Sequence, residues 1–239
     1  MVSLAVPTYN RSEMTMDSFS QILNSNLIDE VIIQDDYSKS NIYFELWNLV
    51  HALNNKKVHL NRNEKNLGPF HNKYEAVKNC KNDWVILLDS DNVIDHSYVR
   101  VIDKLVKEPD ILYCAETLYS KGKETINWSY EAFNQLVIDK KNVKKYIDNG
   151  LFETWMNTGN HFFNRDSYLK VVECSECHSR LKVADSIYFS YLWLLFGNRM
   201  KVVPGLAYIH NIHDGSYYIE HRTALRVIHK RIKRRFRIL

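Results

Sequence analysis

The chain has 239 residues and a mass of 28.3 kDa, with 45% hydrophobic and 25% charged residues, which is enough for one large globular domain with a full core. No apolar run approaches the roughly 20 residues of a membrane-spanning helix, and the N-terminus lacks the features of a signal peptide, so we expect a cytoplasmic location. The net charge of +4 is uneven: residues 220–239 carry eight Lys or Arg and one acid, a charge of +7, which leaves −3 for the remainder.

Strands and helices alternate through the first half of the chain. Short β-branched or apolar segments predict strands, and amphipathic segments predict helices. The predicted strands cover residues 2–6, 30–34, 58–60, 84–88 and 111–115. The predicted helices cover residues 12–24, with Ser12 as N-cap, and residues 41–53, 74–80 and 97–106. This order predicts an α/β fold with a mainly parallel central sheet flanked by helices.

Polar residues follow the carboxyl ends of three predicted strands. No Gly-x-Gly-x-x-Gly or Walker A sequence is present, which disfavours a dinucleotide oxidoreductase or a P-loop enzyme. Instead, the strands lead into Pro7-Thr8-Tyr9-Asn10-Arg11, Asp35-Asp36 and Asp89-Ser90-Asp91. Ligands of open α/β sheets bind at this edge. Paired carboxylates suit a hard divalent cation and therefore a diphosphate, although helix caps, solvated turns and a packed Tyr9 would give similar patterns.

Four motifs in order carry a resemblance to a known family. They are Pro7–Arg11, Asp35-Asp36-Tyr37-Ser38, Asn66-Leu67-Gly68 followed by Lys73, and Asp89-Ser90-Asp91 as an Asp-x-Asp motif. On these residues the chain resembles glycosyltransferase family 2, whose members have the Rossmann-like GT-A fold. The resemblance covers Val2 to about Val106 well and extends more patchily to Ser216.

The resemblance implies a nucleotide-sugar site, with a UDP-sugar as donor. The residues implied to bind the nucleotide, with Tyr9 against uracil, are Pro7, Tyr9, Arg11, Asp36, Asn66, Lys73 and Asp89. Asp91, with Asp89, would hold Mn²⁺ or Mg²⁺. His213 lies in a segment similar to a late His-x-x-Ser element of the family and would add a metal contact, which favours Mn²⁺ because imidazole is a poorer ligand for Mg²⁺.

Asp185 opens an apolar helix that ends near Gly197. Locally this is an ordinary acid at a helix N-terminus, where the helix dipole favours it. The resemblance implies that Asp185 is the catalytic base of an inverting transfer, although this chain has Ala184-Asp185 where many relatives have two acids. By position alone, the candidate acceptor-pocket residues are Trp155, Asn157, Asn160 and His161.

The sequence therefore predicts a single domain over residues 1–219. Residues 1–115 form its nucleotide-sugar-binding half and residues 116–219 its acceptor and catalytic half. The predicted partners are a nucleotide-sugar donor and a glycan, protein or lipid-linked acceptor, with no nucleic acid. Two alternatives stay open: a catalytically silent sugar-nucleotide-binding or scaffold domain of the same fold, and a phosphohydrolase with Asp89 as nucleophile.

Residues 220–239 predict a basic amphipathic helix after this domain. Its apolar residues recur at helical spacing and are Leu225, Ile228, Ile232, Phe236 and Leu239. The stripe favours packing on the body of the protein. Peripheral contact with an anionic membrane at its cytoplasmic face, through residues 222–239, is the alternative.

Overall fold

The computed structural model describes residues 1–122, 127–174, 184–213 and 222–238. The strands are β1 (Val2–Thr8), β2 (Ile28–Asp35), β3 (Val58–Arg62), β4 (Trp84–Leu87), β5 (Asn92–Val93), β6 (Ile111–Gly122), β7 (Trp128–Ser129), β8 (Val137–Ile138), β9 (His161–Asn164) and β10 (Arg199–Ile212). The helices are α1 (Glu13–Phe19), α2 (Ser40–Leu53), α3 (Pro69–Lys78), α4 (His96–Asp103), α5 (Gly150–Met156), α6 (Arg165–Glu173), α7 (Asp185–Leu195) and α8 (Arg222–Ile238). Short 3-10 helices cover Glu131–Phe133 and Val143–Lys145.

The strands form one sheet in the order β3-β2-β1-β4-β9-β6-β10-β5, with β7 beside β6 and β8 beside β10. The first four strands of that order pair in parallel, as do β6 and β10. The predicted α/β fold is confirmed. Within it, β9 is antiparallel to both β4 and β6. Because β9 runs against β4, its first residue, His161, pairs with Leu87 at the end of β4. The residues just before β9 therefore lie at the edge where β4 ends.

Both faces of the sheet are covered by helices and core side chains. Along β1, Val2, Leu4 and Val6 belong to one buried cluster and Ala5 to the other. This alternation follows from the two-residue period of a strand. Strands that are buried on both faces read as continuous apolar runs, which is why the sequence shows no polar alternation there.

The helix ends explain where the sequence boundaries were misplaced. Ser12 does not cap α1: it has helical backbone angles, and its hydroxyl donates to Glu45 at 2.6 Å. Helix α3 begins at Pro69, earlier than predicted, because proline fits the first helical position and Gly68 supplies a φ of +83° before it. This earlier start places Lys73 in the first half of α3.

Helix α8 packs on the body through its apolar stripe. Ile232 and Phe236 are buried, and the Phe236 ring meets the edge of Tyr191 with centroids 4.9 Å apart. Lys233 pairs with Glu153 beside this contact. Among the described residues, none of the helices combines the length and apolar character needed to cross a membrane.

Candidate active site at the carboxyl edge of the sheet

The Asp-x-Asp motif forms the turn between β4 and β5. The amide of Asn92 donates to the carbonyl of Asp89 at 2.9 Å, which closes the turn. The carboxylate of Asp89 lies 2.8 Å from the ammonium of Lys73. The carboxylate of Asp91 lies 3.0 Å from Arg11 and 3.3 Å from Nε2 of His213. The structure therefore brings together five residues that the sequence analysis selected from four separate segments.

Lys73 links the motif to α7. Its ammonium is also 2.7 Å from the carboxylate of Asp185, in the first turn of that helix. Burial alone would lower the pKa of Lys73, but the charges of Asp185 and Asp89 raise it above its ordinary value. Burial raises the pKa of Asp89, and Lys73 offsets this only in part. One protonated lysine thus holds the predicted donor-binding acid and the predicted catalytic base side by side.

Strand β10 brings the late histidines to the motif. It pairs with β5, and Nδ1 of His210 lies 2.7 Å from the side-chain oxygen of Asn92. Burial alone would raise the pKa of Asp91, but the hydrogen bond with His213 and the charge of Arg11 lower it overall. Residues 214–216, the rest of the late element, lie outside the described residues. Within the described part of the chain, no group of three or more His, Cys, Asp or Glu side chains is arranged to hold a metal by itself.

Asp36 anchors the loop between β3 and α3. Its two carboxylate oxygens accept the amides of Leu67 and Gly68, each at 2.8 Å, and one also accepts Nδ2 of Asn63 at 2.8 Å. Asn66 donates to the backbone carbonyl of Asp36 at 3.0 Å. Burial raises the pKa of Asp36 despite these donors. Two residues predicted to bind the nucleotide therefore bind each other, and a further contact of Asp36 with a base stays a prediction.

Exposed aromatic rings stand at the ends of β1 and β2. Tyr9 is 44% exposed and Tyr37 is 52% exposed. The guanidinium of Arg62 lies 4.9 Å from the centre of the Tyr37 ring, which leaves the ring partly covered. Pro7 is buried within β1, so it lies beneath this surface. Tyr9 is thus accessible from the surface, as a base-stacking residue must be.

The candidate acceptor residues lie deeper than predicted. Trp155 is fully buried and stacks on Phe133 with ring centroids 5.7 Å apart, so it is a core residue with no surface for an acceptor. His161 is also buried, 3.6 Å from the sulfur of Cys114, and burial with the nearby Lys73 lowers its pKa to about 3. Asn160 is buried and its Oδ1 accepts the amide of Asp89 at 2.9 Å, a contact that the sequence analysis missed.

The chain is similar in sequence to one protein family and in structure to several solved proteins. The sequence model of Glycosyl transferase family 2 matches residues 3–172. No curated protein matches the chain. The structure of S. aureus TarS 1-349 in complex with UDP-GlcNAc is similar with a TM-score of 0.67 at 18% identity, over 90% of this chain and 60% of that one. The structure of GalNAc-T7 with UDP, GalNAc and Mn²⁺ is similar with a TM-score of 0.66 at 16% identity, over 90% of this chain and 44% of that one. This chain thus spans 60% or less of the length of these two structures.

Proposed function

The chain belongs to glycosyl transferase family 2 and has the GT-A fold, and on that premise we propose that it transfers a sugar from a UDP-sugar to an acceptor hydroxyl with inversion at the anomeric carbon. The observation that carries this proposal is the position of Lys73, within 2.8 Å of Asp89 and 2.7 Å of Asp185. A donor-binding acid and a base must stand side by side for the acceptor to attack the donor sugar. Membership of this family sets the phosphohydrolase alternative aside.

The donor site of the proposal lies over the Asp-x-Asp turn. The exposed side chain of Tyr9 would stack on uracil, and Arg11 would meet the diphosphate. The choice of uridine is supported by the similar structures, since TarS binds UDP-GlcNAc and GalNAc-T7 binds UDP. Lys73 supplies a second fixed positive charge at the same edge of the sheet.

The chemistry of the side chains around Asp91 suits a divalent cation, although in the described residues they are not arranged to hold one by themselves. Two carboxylates and one imidazole, from Asp89, Asp91 and His213, form a hard donor set with one nitrogen, which favours Mn²⁺ over Mg²⁺. Arg11 lies 3.0 Å from the Asp91 carboxylate, so a bound cation would compete with its guanidinium for that carboxylate. When bound, the cation would act as a Lewis acid toward the diphosphate oxygens. GalNAc-T7, whose structure contains Mn²⁺, is consistent with this assignment.

The chain's own residues supply the proton transfer. Asp185 accepts the proton of the acceptor hydroxyl while that oxygen forms a bond to the anomeric carbon and the bond to the diphosphate breaks. Lys73 orients the carboxylate of Asp185, and no covalent sugar–enzyme intermediate is needed. The acceptor is a glycan, protein or lipid-linked hydroxyl in this proposal. The apolar stripe of α8 is packed on the body of the protein. Contact with the cytoplasmic face of an anionic membrane would therefore use the exposed basic residues of α8 instead.

The first test is calorimetric titration of UDP, with GDP as control, in Mn²⁺ and then in EDTA. We expect Mn²⁺-dependent binding of UDP that Asp91→Ala abolishes. The absence of binding of either nucleotide with any metal would overturn the proposal.

The second test separates an enzyme from a silent binding domain. With a UDP-sugar that the wild type turns over, Asp185→Asn should lower kcat by roughly 10²- to 10⁴-fold, the range for loss of a general base, and leave UDP affinity nearly unchanged. The matched control is Asp166→Asn, since Asp166 lies in the first turn of α6 with its side chain 81% exposed. Equal turnover by Asp185→Asn and wild type would exclude Asp185 as the base.

A further inference from the structure

Gly159 lies directly against the carboxylate of Asp89. A Cβ atom built on Gly159 would stand 2.0 Å from Oδ2 of Asp89 and 3.1 Å from its Cγ. The first distance is far below van der Waals contact, so no other residue type fits there without movement. By contrast, a Cβ on Gly150, nine residues earlier, meets no atom within 4 Å. Position 159 therefore requires glycine, whereas position 150 does not.

Asp89 is held on three sides by residues from two segments. Lys73 binds Oδ1, the amide of Asp89 donates to Oδ1 of Asn160, and Gly159 borders Oδ2. The two residues before β9 thus fix both the backbone and the side chain of Asp89. Since β9 is antiparallel to β4, its start lies beside the end of β4, which explains how residues so far apart in sequence meet.

The same position touches the helix that carries the predicted base. The Cβ built on Gly159 would lie 3.5 Å from the hydroxyl oxygen of Ser186, the neighbour of Asp185. Gly159 therefore lies between Asp89 and the first turn of α7, which carries Asp185. Any side chain at 159 would push on the donor-binding acid and approach the first turn of α7.

We propose that Gly159 is a positioning residue. The space left by its absent side chain, which we call the seat, holds the Asp89 carboxylate and sets its orientation toward the donor and toward Lys73. This inference rests on the proposed function, because it concerns the same site. Asn160 completes the seat by holding the amide of Asp89.

Gly159→Ala should impair the site more than the fold. The atom that a new Cβ would strike is the end of a side chain, and Asp89 can rotate away from it. Rotation would separate Asp89 from Lys73 and misdirect it by more than 1 Å. We expect Mn²⁺-dependent UDP affinity to fall about tenfold or more and kcat to fall on the order of 10²-fold, as misplaced groups of this kind do. Gly150→Ala should match the wild type in both.

A double-mutant cycle with Asp89→Ala tests the mechanism. If the seat acts through the Asp89 carboxylate, Gly159→Ala should have no further effect on UDP affinity once that carboxylate is removed. Equal losses in both backgrounds, or no loss from Gly159→Ala alone, would overturn the inference. Thermal melting of the same four proteins gives a readout that needs no activity: any fall in Tm caused by Gly159→Ala should vanish in the Asp89→Ala background.

The two readouts separate failure of this inference from failure of the proposed function. A wild type that does not bind UDP would contradict the function, while the melting cycle would still decide whether Gly159 seats Asp89. If Gly159→Ala does not fold, recovery of folding by Asp89→Ala would support the seat, and continued misfolding would overturn it.

Discussion

Replacing Lys73 by methionine removes the positive charge between two acids and keeps most of the volume of the side chain. Lys73 is only 9% exposed, and its ammonium lies 2.8 and 2.7 Å from the carboxylates of Asp89 and Asp185. Loss of one partner from a buried ionic group costs about 3–5 kcal/mol, because the remaining charges stay buried without compensation. In a domain of this size, each kcal/mol lowers Tm by about 2–4 °C, so we expect a fall of at least about 6 °C.

Thermal and urea unfolding at pH 7.5 measure this effect. The matched control is Lys78→Met in the same helix, since Lys78 is 53% exposed and pairs with Glu75 at 3.9 Å. That change should stay within about 0.5 kcal/mol. A loss for Lys73→Met no larger than the loss for Lys78→Met would refute the reasoning.

The pH dependence of the Lys73→Met variant gives a second check. Without Lys73, burial and the charges of Asp91 and Asp185 would hold the pKa of Asp89 in the folded state further above its unfolded value of about 4. The folded variant then binds more protons than the unfolded chain, so its stability should rise as the pH falls from 8 toward 5. A deficit relative to wild type that stays constant over this range would count against a charge effect.

Two further predictions concern buried groups outside the donor site. The pKa of His161 is about 3 in the folded protein and about 6.5 when unfolded, so this residue should lower the free energy of unfolding by up to about 1.4 kcal/mol per pH unit as the pH falls between these values. In urea unfolding, the stability of His161→Gln should therefore decline less steeply with acid than that of the wild type. An unchanged decline would contradict the burial of a neutral His161. Phe236→Ala should destabilise the docked α8 by about 3 kcal/mol and speed its cleavage by trypsin; Val227→Ala, at a position 49% exposed, is the control, and equal cleavage rates would show that Phe236 does not hold the helix.

The order of elements in the first half was predictable because each strand is a separate apolar run. Strands such as Trp84–Leu87 are buried on both faces, and the break from apolar residues to Asp89 marks the edge of the sheet. The direction of β9 was not predictable, since the run His161–Phe163 reads the same in either direction. Its antiparallel pairing with β4 and β6 depends on contacts between segments that are far apart in sequence.

The sequence predicted which residues belong to the site better than it predicted which of their side chains contact each other. Lys73 could be selected from its motif, but its bridge to Asp185 joins residues from α3 and α7 that only folding brings together. The hydrophobic sequence around Trp155 is compatible with either a pocket wall or a core. In the structure Trp155 packs on Phe133 in an aromatic cluster, which places it in the core. Gly159 gave no signal of its own, because one glycine before a strand has many explanations.

The contact between Asp91 and His213 spans 122 positions in sequence. Closing a loop of that length has a large entropic cost, and the parallel pairing of β6 with β10 must form before the histidine can reach the turn. The pairings of β1 with β2 and of β2 with β3 join residues only about 27 positions apart, so they close much shorter loops. The nucleotide site is therefore expected to be among the last parts of the molecule to assemble, and a folding chain acquires its β1–β3 scaffold before it can recognise a ligand.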